Sequence, residues 1–153
     1  MNNTKGKIFL LSFKISNFFS KNKFLRFIGF PIRMLYKIIF QWILGIDIPD
    51  SLKIGKNFQL FHGQGLIIHK NVIIGDNVLI RHNTTIGVAN HDGKCPIIKD
   101  NVSIGANSVI IGSITVGSNS IIAAGSVVIK DVPKNSIVAG NPARLVKKIN
   151  ENS

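Results

Sequence analysis

The chain has 153 residues, a formal net charge of +12 and one cysteine. This length suits a single domain with attachments, and one cysteine excludes an internal disulfide framework and a cysteine-based zinc cluster, which favours a reducing compartment. Residues 1–46 hold eight Lys or Arg, no Asp or Glu, and ten of the twelve aromatic residues, whereas the rest of the chain holds 11 basic and seven acidic side chains. The two parts are therefore expected to form different kinds of structure.

Residues 1–46 are predicted to form one or two basic amphipathic helices, over about 6–29 and 32–44, divided near Pro31. Basic residues interrupt the apolar sequence so often that no uncharged stretch approaches the ~20 residues needed to span a bilayer. The apolar run at 8–13 is short and no small-residue cleavage site follows it, which argues against a signal peptide.

Two interpretations of this segment stay open. Basic residues interleaved with Phe, Trp and Leu are typical of a helix that lies in the interface of an anionic membrane. The same segment also fits a helical cap over an open end of the next domain, with its lysines solvated. Nucleic-acid binding is not expected, because no recognised motif is present and the apolar content is too high for a simple phosphate-binding tail.

An aliphatic residue then returns at every sixth position: Ile68, Ile74, Ile80, Ile86, Ile98, Ile104, Ile110, Val116, Ile122 and Val128. The series passes over one position between Ile86 and Ile98, and this interruption is called the skipped beat below. A period of six fits neither a helix nor a two-sided strand. It is the signature of a parallel β-helix, an all-β solenoid in which three hexads make one coil. Ile54 and Leu60 predict an earlier coil, offset by two residues from the main register.

A second inner row is predicted four positions after each core residue, where the side chains are mostly small or β-branched. Its members are Val72, Val78, Thr84, Val102, Ser108, Ile114, Ser120, Ser126 and Val132. Gly75, Gly87, Gly105 and Gly117 directly follow a core residue, where the chain must turn a corner.

The skipped beat lies between Gly87 and Ile98, with the rhythm intact on both sides. The inserted residues include His91, Asp92, Lys94 and Cys95, a high density of reactive side chains. Excursions from a solenoid usually form loops on one face, and such loops often build the binding site. The alternative is an ordinary surface loop.

Several motifs, in one order from Gly45 to Ile149, resemble the serine acetyltransferase branch of the hexapeptide-repeat, left-handed β-helix acyltransferases. They are Gly-Ile-Asp-Ile-Pro at 45–49, Phe-His-Gly-Gln-Gly at 61–65, Thr-Ile-Gly at 85–87, Ile-Gly-Ala-Asn at 104–107, Ala-Ala-Gly-Ser-Val-Val at 123–128 and Ala-Gly-Asn-Pro-Ala-Arg at 139–144. The resemblance implies a left-handed β-helix over 47–138 after the helical segment 1–46, and a C-terminal segment over 139–153. The left hand comes from the resemblance alone, since parallel crossovers generally favour the right hand.

The resemblance also implies acetyl-CoA as the donor, and a homotrimer with active sites between adjacent prisms. The family's general base aligns with His62 and its orienting carboxylate with Asp47. Histidine suits removal of a hydroxyl proton, and a carboxylate on the other ring nitrogen would fix the tautomer. His91 is the rival base, because its Ala-Asn-His-Asp loop is similar to loops of sugar and antibiotic acetyltransferases. His82 is expected near the same cleft, and His69 in a solvated turn.

For the cofactor, the resemblance implies a pantetheine groove beside Ala106 and Ala124, with Gly87 and Gly125 among the cofactor-binding residues. Arg144 and Lys147 are candidates for the nucleotide phosphates. No metal is expected.

Departures from the family pattern bear on the acceptor. Lys94-Cys95-Pro96 replaces an Arg-His-Pro element, and Phe61 replaces the carboxylate before the catalytic histidine, so the clamp for free serine is altered. With His82, these residues are the predicted acceptor contacts. The family's long acidic helical domain is also replaced by the short basic segment. These changes favour O-acetylation of a saccharide, free or lipid-linked, for a surface polysaccharide, in the cytoplasm at the inner face of the membrane.

Alternatives remain for the function. One is serine O-acetylation in cysteine biosynthesis. Another is a non-catalytic scaffold that binds zinc, since His62, His82 and His91 could converge across a subunit interface. A third is a membrane-recruited adaptor with an inactive transferase domain.

Overall fold

A computed structural model describes residues 4–90 and 93–149. A helical segment is followed by a parallel β-solenoid of about five coils, as the period of six predicts. The solenoid is a triangular prism whose three faces are parallel sheets, and each strand pairs with the equivalent strand of the next coil. The helical segment lies at the N-terminal end of the prism.

The strands run around the prism in chain order. Sheet A contains β1 (Ile46–Asp47), β4 (Leu66–Ile68), β7 (Thr85–Gly87), β10 (Val109–Ile111) and β13 (Val127–Val128). Sheet B contains β2 (Lys53–Ile54), β5 (Ile73–Ile74), β8 (Ile97–Ile98) and β11 (Thr115–Val116). Sheet C contains β3 (Gln59–Phe61), β6 (Leu79–Arg81), β9 (Ser103–Ile104), β12 (Ile121–Ile122) and β14 (Ser136–Gly140), and ends with the antiparallel strand β15 (Ala143–Lys148).

The predicted aliphatic series fills the interior of the prism. Each of its ten residues from Ile68 to Val128 is at most 3% exposed. The second row is also buried, and its serines are satisfied there: the hydroxyls of Ser108, Ser120 and Ser126 donate to backbone carbonyls at 2.6–2.8 Å. Burying these small polar side chains is therefore compatible with a dry core.

The coils differ in length, and the differences fall at corners. Leu60 pairs with Ile80, two positions beyond a regular coil of three hexads, which confirms the predicted offset of the first coil. Thr85 pairs with Val109 across the skipped beat, so this coil is longer by one whole hexad. At the end Val116 lies beside Val132, two positions short of a regular coil. The assignment of Val132 to the second row was therefore wrong, because the shortened corner moves it into the main row.

An asparagine ladder runs along the edge between sheets B and C. Its members adopt left-handed φ angles of 52–59°: Asn57, Asn77, Asn101, Asn119 and Asn135. Each amide donates to the Oδ1 of the next asparagine at 2.8–3.0 Å. Asparagine tolerates this backbone conformation better than most residues, so one residue type serves both the turn and the stack.

The helical segment consists of α1 (Thr4–Ser20), α2 (Lys23–Ile28), α3 (Phe30–Tyr36) and a π-helical turn (Lys37–Ile43) that continues α3. Helical structure is confirmed, and so is the predicted division near Pro31, but an unpredicted break divides the first helix. The first break follows Ser20, where the side chain of Asn22 accepts the Leu25 N–H at 2.8 Å and caps α2. The second break lies at Gly29, and Pro31 occupies the first turn of α3, where proline is tolerated.

One side of the helical segment packs on the first coil as a cap. Its core is a cluster of aromatic rings with centroids 5.3–6.4 Å apart, formed by Phe9, Phe13, Tyr36 and Phe40. The Tyr36 hydroxyl donates to the Ile48 carbonyl at 2.8 Å. Burial raises the pKa of Tyr36, and the negative charges of Asp50 and Asp47 raise it further.

Asp50, in the corner between β1 and β2, is the polar centre of this contact. Its carboxylate is buried and accepts hydrogen bonds from Arg33 Nε at 2.6 Å and from the Ser16 hydroxyl at 2.8 Å. Burial opposes ionisation, but the bonds from Arg33 and Ser16 and the nearby positive charges outweigh it and hold the pKa of Asp50 below its usual value. Because Ser16 belongs to α1 and Arg33 to α3, Asp50 ties both helices to the prism.

Within 4–90 and 93–149, none of the helices has the length and apolar character required to cross a membrane.

Candidate functional site

His62 begins the turn between β3 and β4, on the edge where sheet C meets sheet A, here called the C–A edge. The turn carries the two extra residues of the first coil, and His62 has a φ of 68°, which is uncommon for a residue other than glycine. Gly65 also has a positive φ, and a Cβ there would overlap the side chain of Asn83. The glycines thus allow a tight turn that leaves the imidazole exposed on the edge.

His82 occupies the same edge one coil further along. Its ring lies 5.8 Å from the ring of His62, with an interplanar angle of 86°. The Nδ1 atom of His82 is buried, and no group among the described residues donates to it or accepts from it. Phe61 is half-buried directly before His62 and pairs with Arg81 directly before His82. The structure therefore brings together three of the predicted site residues.

The next corners on the C–A edge are small. Ala106 and Ala124 lie on successive coils, where the Gly125 N–H donates to the Ala106 carbonyl at 2.8 Å. A Cβ at Gly105 would overlap the backbone of Ala124, so the two coils are packed closely here. Strand β15, which carries exposed Arg144 and Lys147, lies beyond β14 at the C-terminal end of sheet C.

Asp47 lies on the outer surface of sheet A. It is exposed and lines an open groove of about 400 Å³, together with Thr85, Gly87 and His69. Asp47 is in register with Ile67, which closely follows the His62 turn. Within the described chain the side chains of Asp47 and His62 are not hydrogen-bonded to each other, so the orienting role of Asp47 stays a prediction.

The skipped beat forms a loop on the opposite edge of sheet A, where sheet A meets sheet B, here called the A–B edge. His91 and Asp92 lie outside the described residues; the flanking residues 88–90 and 93–96 belong to this loop. Gly87 enters the loop and accepts the Gly112 N–H at 3.0 Å. Gly87 is therefore separated from Ala106 and Ala124 by the width of sheet A.

His69 was wrongly predicted to be a solvated turn residue. It is half-buried on the A–B edge, and its Nδ1 lies 3.0 Å from Cys95 Sγ and accepts the Asn71 N–H at 3.2 Å. Cys95 is also half-buried, whereas Lys94 next to it is exposed. The loop thus adds a thiol and an imidazole in contact to this edge of the groove.

In residues 4–90 and 93–149 the side chains of His, Cys, Asp and Glu form no group of three that could hold an ion. His62 and His82 adjoin each other, and His91 lies outside this range.

Comparison with known proteins identifies the family. A model described as bacterial transferase hexapeptide (six repeats) matches residues 95–130. Over 141 residues the chain is 39% identical to the Escherichia coli K12 protein named for colanic acid biosynthesis, the acetyltransferase WcaB, and this covers 89% of the chain and 87% of WcaB. The chain belongs to the hexapeptide-repeat acetyltransferases. The acyltransferase assignment and the left-handed β-helix predicted from its motifs are therefore confirmed.

The serine acetyltransferase branch of this family is also close. Serine acetyltransferase 4 of Arabidopsis thaliana is 42% identical over 111 residues, which are 71% of the chain but 31% of that relative. The crystal structure of Brucella abortus serine acetyltransferase in complex with coenzyme A aligns with a TM-score of 0.81 at 32% identity, over 95% of the chain and 57% of that protein. The chain thus spans little more than half of this serine acetyltransferase and most of WcaB.

Proposed function

We propose that this acetyltransferase moves the acetyl group of acetyl-CoA to a hydroxyl of a saccharide, with His62 as the general base. The C–A edge is the observation that supports it: an exposed imidazole in a glycine turn, followed by small corners at Ala106 and Ala124 and by cations on β15. Small corners let the extended pantetheine arm lie against the backbone, and Arg144 and Lys147 suit the nucleotide phosphates. The coenzyme A complex of the Brucella relative supports the cofactor.

The reaction needs one proton to move twice. His62 takes the proton of the acceptor hydroxyl as its oxygen attacks the thioester carbon. The tetrahedral intermediate then expels the sulfur of coenzyme A, and the imidazolium returns the proton to that sulfur. The products are an acetyl ester and free coenzyme A, so no acyl-enzyme is required and Cys95 need not act as a nucleophile. A carboxylate, here Asp47, would stabilise the transient imidazolium.

The two edges of sheet A suggest that a complete site needs more than one copy of the chain. His62 lies on the C–A edge, and the loop with Lys94 and Cys95 lies on the A–B edge. A three-residue strand such as Leu66–Ile68 is about 10 Å long, so the edges of one copy are too far apart to hold one hydroxyl. We propose a closed threefold ring in which the C–A edge of one copy meets the A–B edge of the next. The proposal therefore includes a homotrimer.

The acceptor is proposed to be a saccharide because the residues around the base are unsuited to free serine. Phe61 stands before His62, and Lys94 and Cys95 stand in the loop. WcaB, named for a polysaccharide pathway, also matches nearly the whole chain. A lipid-linked saccharide, met by residues 1–46 at the inner face of a membrane, belongs to the same proposal. Serine is the second candidate, since serine acetyltransferases are as similar in sequence.

Substitution of the histidines tests the catalytic part. His62→Ala is expected to lower kcat by on the order of a hundredfold or more, the usual effect of losing a general base, while the Kd for acetyl-CoA changes little. Asp47→Asn should cost the same or less. If His91→Ala silences the enzyme while His62→Ala retains near-normal kcat, the loop histidine is the base and this proposal is wrong.

A bulky side chain tests the cofactor groove. Ala124→Trp should abolish acetyl-CoA binding in calorimetry, because the indole would fill the corner that the pantetheine arm needs. Ser118→Trp is the matched control, since it puts the same ring in a Gly-Ser-Asn turn on the B–C edge. Equal affinity in both variants would refute the placement.

An acceptor screen with labelled acetyl-CoA separates the two substrates. We expect acetylation of saccharides or lipid-linked saccharides, and poor turnover of L-serine. If L-serine is turned over as fast as the best saccharide, serine replaces the saccharide as the proposed acceptor. Sedimentation of the same protein should give the mass of three chains, and a mass of one chain at micromolar concentration would contradict the shared site.

A further inference from the structure

Helix α1 has a buried face and, on the opposite side, an exposed apolar face. The buried face comprises Gly6, Phe9, Phe13, Ser16 and Ser20, at spacings of three and four residues, and it packs into the cap. The opposite face comprises Ile8, Leu11, Ile15 and Phe18, at the same spacings, and these side chains are 45–64% exposed. Because successive helical residues are 100° apart, the two sets lie on opposite sides of the helix. Capping the prism therefore leaves an apolar face of α1 uncovered.

The later helices repeat this exposure. Across 8–44 fifteen large apolar side chains are exposed, against seven in the rest of the described chain. The most exposed are aromatic: Phe27 at 84%, Trp42 at 82% and Phe24 at 72%. The helical outer face, defined as the exposed apolar side chains of residues 8–44, is more than the scattered single exposures expected of a monomer surface.

The charges around this face all have one sign. Lys7, Lys14 and Lys21 recur every seven residues; the first two lie on α1 between its two faces, and Lys21 continues the row just after the helix ends. Seven of the eight basic side chains of the segment are exposed, and the eighth, Arg33, pairs with Asp50. Residues 4–46 contain no carboxylate side chain. The face is thus complementary to a surface that is apolar inside and negative at its boundary.

We infer that the helical outer face docks in the interface of an anionic lipid bilayer, while the opposite side of the same helices caps the prism. Apolar side chains enter the acyl boundary, the lysines meet lipid phosphates, and exposed Trp42 takes the interfacial position usual for tryptophan. Arg33 and Ser16, bound to Asp50, fix the cap to the first coil, so the bilayer would hold the enzyme by its N-terminal end. This deepens the membrane part of the proposed function, and it does not depend on the transfer chemistry.

A second copy of the chain is a less suitable occupant. Two outer faces brought together would place two rows of lysines side by side with no carboxylate to neutralise them, and like charges repel. Lipid phosphates neutralise the same rows.

The test measures binding of the full-length protein to vesicles of phosphatidylglycerol and phosphatidylcholine in equal amounts, and to vesicles of phosphatidylcholine alone. Trp42 is the only tryptophan, so its fluorescence reports this face directly. We expect a blue shift and sedimentation with the anionic vesicles, and much weaker binding to the neutral ones.

Two variants and two controls locate the surface. The triple variant Lys7→Gln, Lys14→Gln and Lys21→Gln should weaken anionic binding by on the order of a hundredfold, and Lys99→Gln with Lys130→Gln and Lys134→Gln should change it far less. Phe24→Ser with Phe27→Ser should weaken binding at least tenfold, whereas exposed Ile129→Ser on the prism should leave it unchanged.

Other outcomes overturn the inference. No binding to anionic vesicles, or equal binding by the phenylalanine variant and the parent, would exclude the bilayer. A parent assembly that the phenylalanine variant halves in mass would identify a second copy as the occupant. Turnover of a soluble acceptor is measured in parallel, so a failed membrane test leaves the transferase proposal standing.

Discussion

The prism and the cap hold their apolar residues in different ways. In the prism each core side chain rests on the equivalent side chain of the next coil, and few large apolar residues face outward. In the cap a small aromatic cluster and the Asp50 carboxylate hold α1 and α3 against the first coil, and most of the large apolar residues face outward. A repeat is stabilised by many equivalent contacts between neighbouring coils. The cap instead depends on a few contacts, each of which occurs once.

The largest expected difference comes from truncating a core residue on each side. Phe9→Ala removes a ring that contacts three others, and a buried phenylalanine truncation costs about 3–5 kcal/mol. We expect the cap to detach before the prism unfolds. Hydrogen exchange should then rise across residues 4–44 and stay unchanged in β8 to β13.

Ile104→Ala is the matched change in the prism, where the side chain is fully buried. It should cost about 2–5 kcal/mol and raise exchange in the coils on either side. If Phe9→Ala raises exchange equally in both regions, cap and prism unfold as one unit and the comparison fails.

The next largest expected effect is the loss of cap stability at low pH. The pKa of Asp50 is lowered in the folded protein, so its contribution to stability is complete above the ordinary carboxyl pKa of about 4 and is lost as the pH falls through the lower folded value. The cap should therefore loosen below pH ~4, before the neutral core of the prism does. Near-ultraviolet circular dichroism against pH follows this release, because the buried ring of Tyr36 loses its fixed surroundings when the cap loosens.

Asp50→Asn separates the charge from the fold. It leaves Arg33 without its carboxylate, and breaking a buried ion pair costs about 3 kcal/mol. The variant should lose its cap at neutral pH, and the pH dependence below pH ~4 should disappear from the circular dichroism signal. An unchanged acid transition would assign it to another group.

The smallest effect belongs to the ladder on the prism. Asn101→Gly keeps the left-handed backbone and removes two amide hydrogen bonds at the surface, so we expect a loss of about 1 kcal/mol. Asn101→Ala should cost about 1–2 kcal/mol more, because alanine is strained at a φ of 59°. Thermal unfolding of both variants measures the difference. Equal loss in the two would mean that the backbone conformation contributes nothing.

The sequence predicts the prism well because its rule is local. A core isoleucine and the small residue four places later are set by the same six-residue unit in every coil, and even the offset of Leu60 was visible. The position of Val132 was predicted wrongly because the corner before it is two residues short. Valine suits both the main row and the second row, so the sequence does not show which row it joins. A shortened corner of this kind changes neither the types of residue in the sequence nor their alternation.

The cap was only half predictable. Ser16 and Ser20 are buried although serine usually marks a wet face, because their partner Asp50 lies 30 or more residues away in the chain. Ile8 and Leu11 are exposed, although large aliphatic residues at helical spacing usually belong to a core. The contact of His69 with Cys95 likewise spans 26 residues across a loop of irregular length. Contacts of this kind follow from tertiary packing, which no short pattern encodes.

The unequal coils give the molecule a fixed edge and two adjustable ones. From sheet B to sheet C every coil takes six residues between core positions, for instance Ile74 to Ile80 and Val132 to Val138. All gains and losses of length fall on the two edges that flank sheet A, at the His62 turn, at the loop and after Val128. A new loop can therefore be grafted at either of these two edges, which lie on opposite sides of sheet A. An insertion at the asparagine edge would instead displace the asparagine of that coil and break its hydrogen bonds to the neighbours on either side.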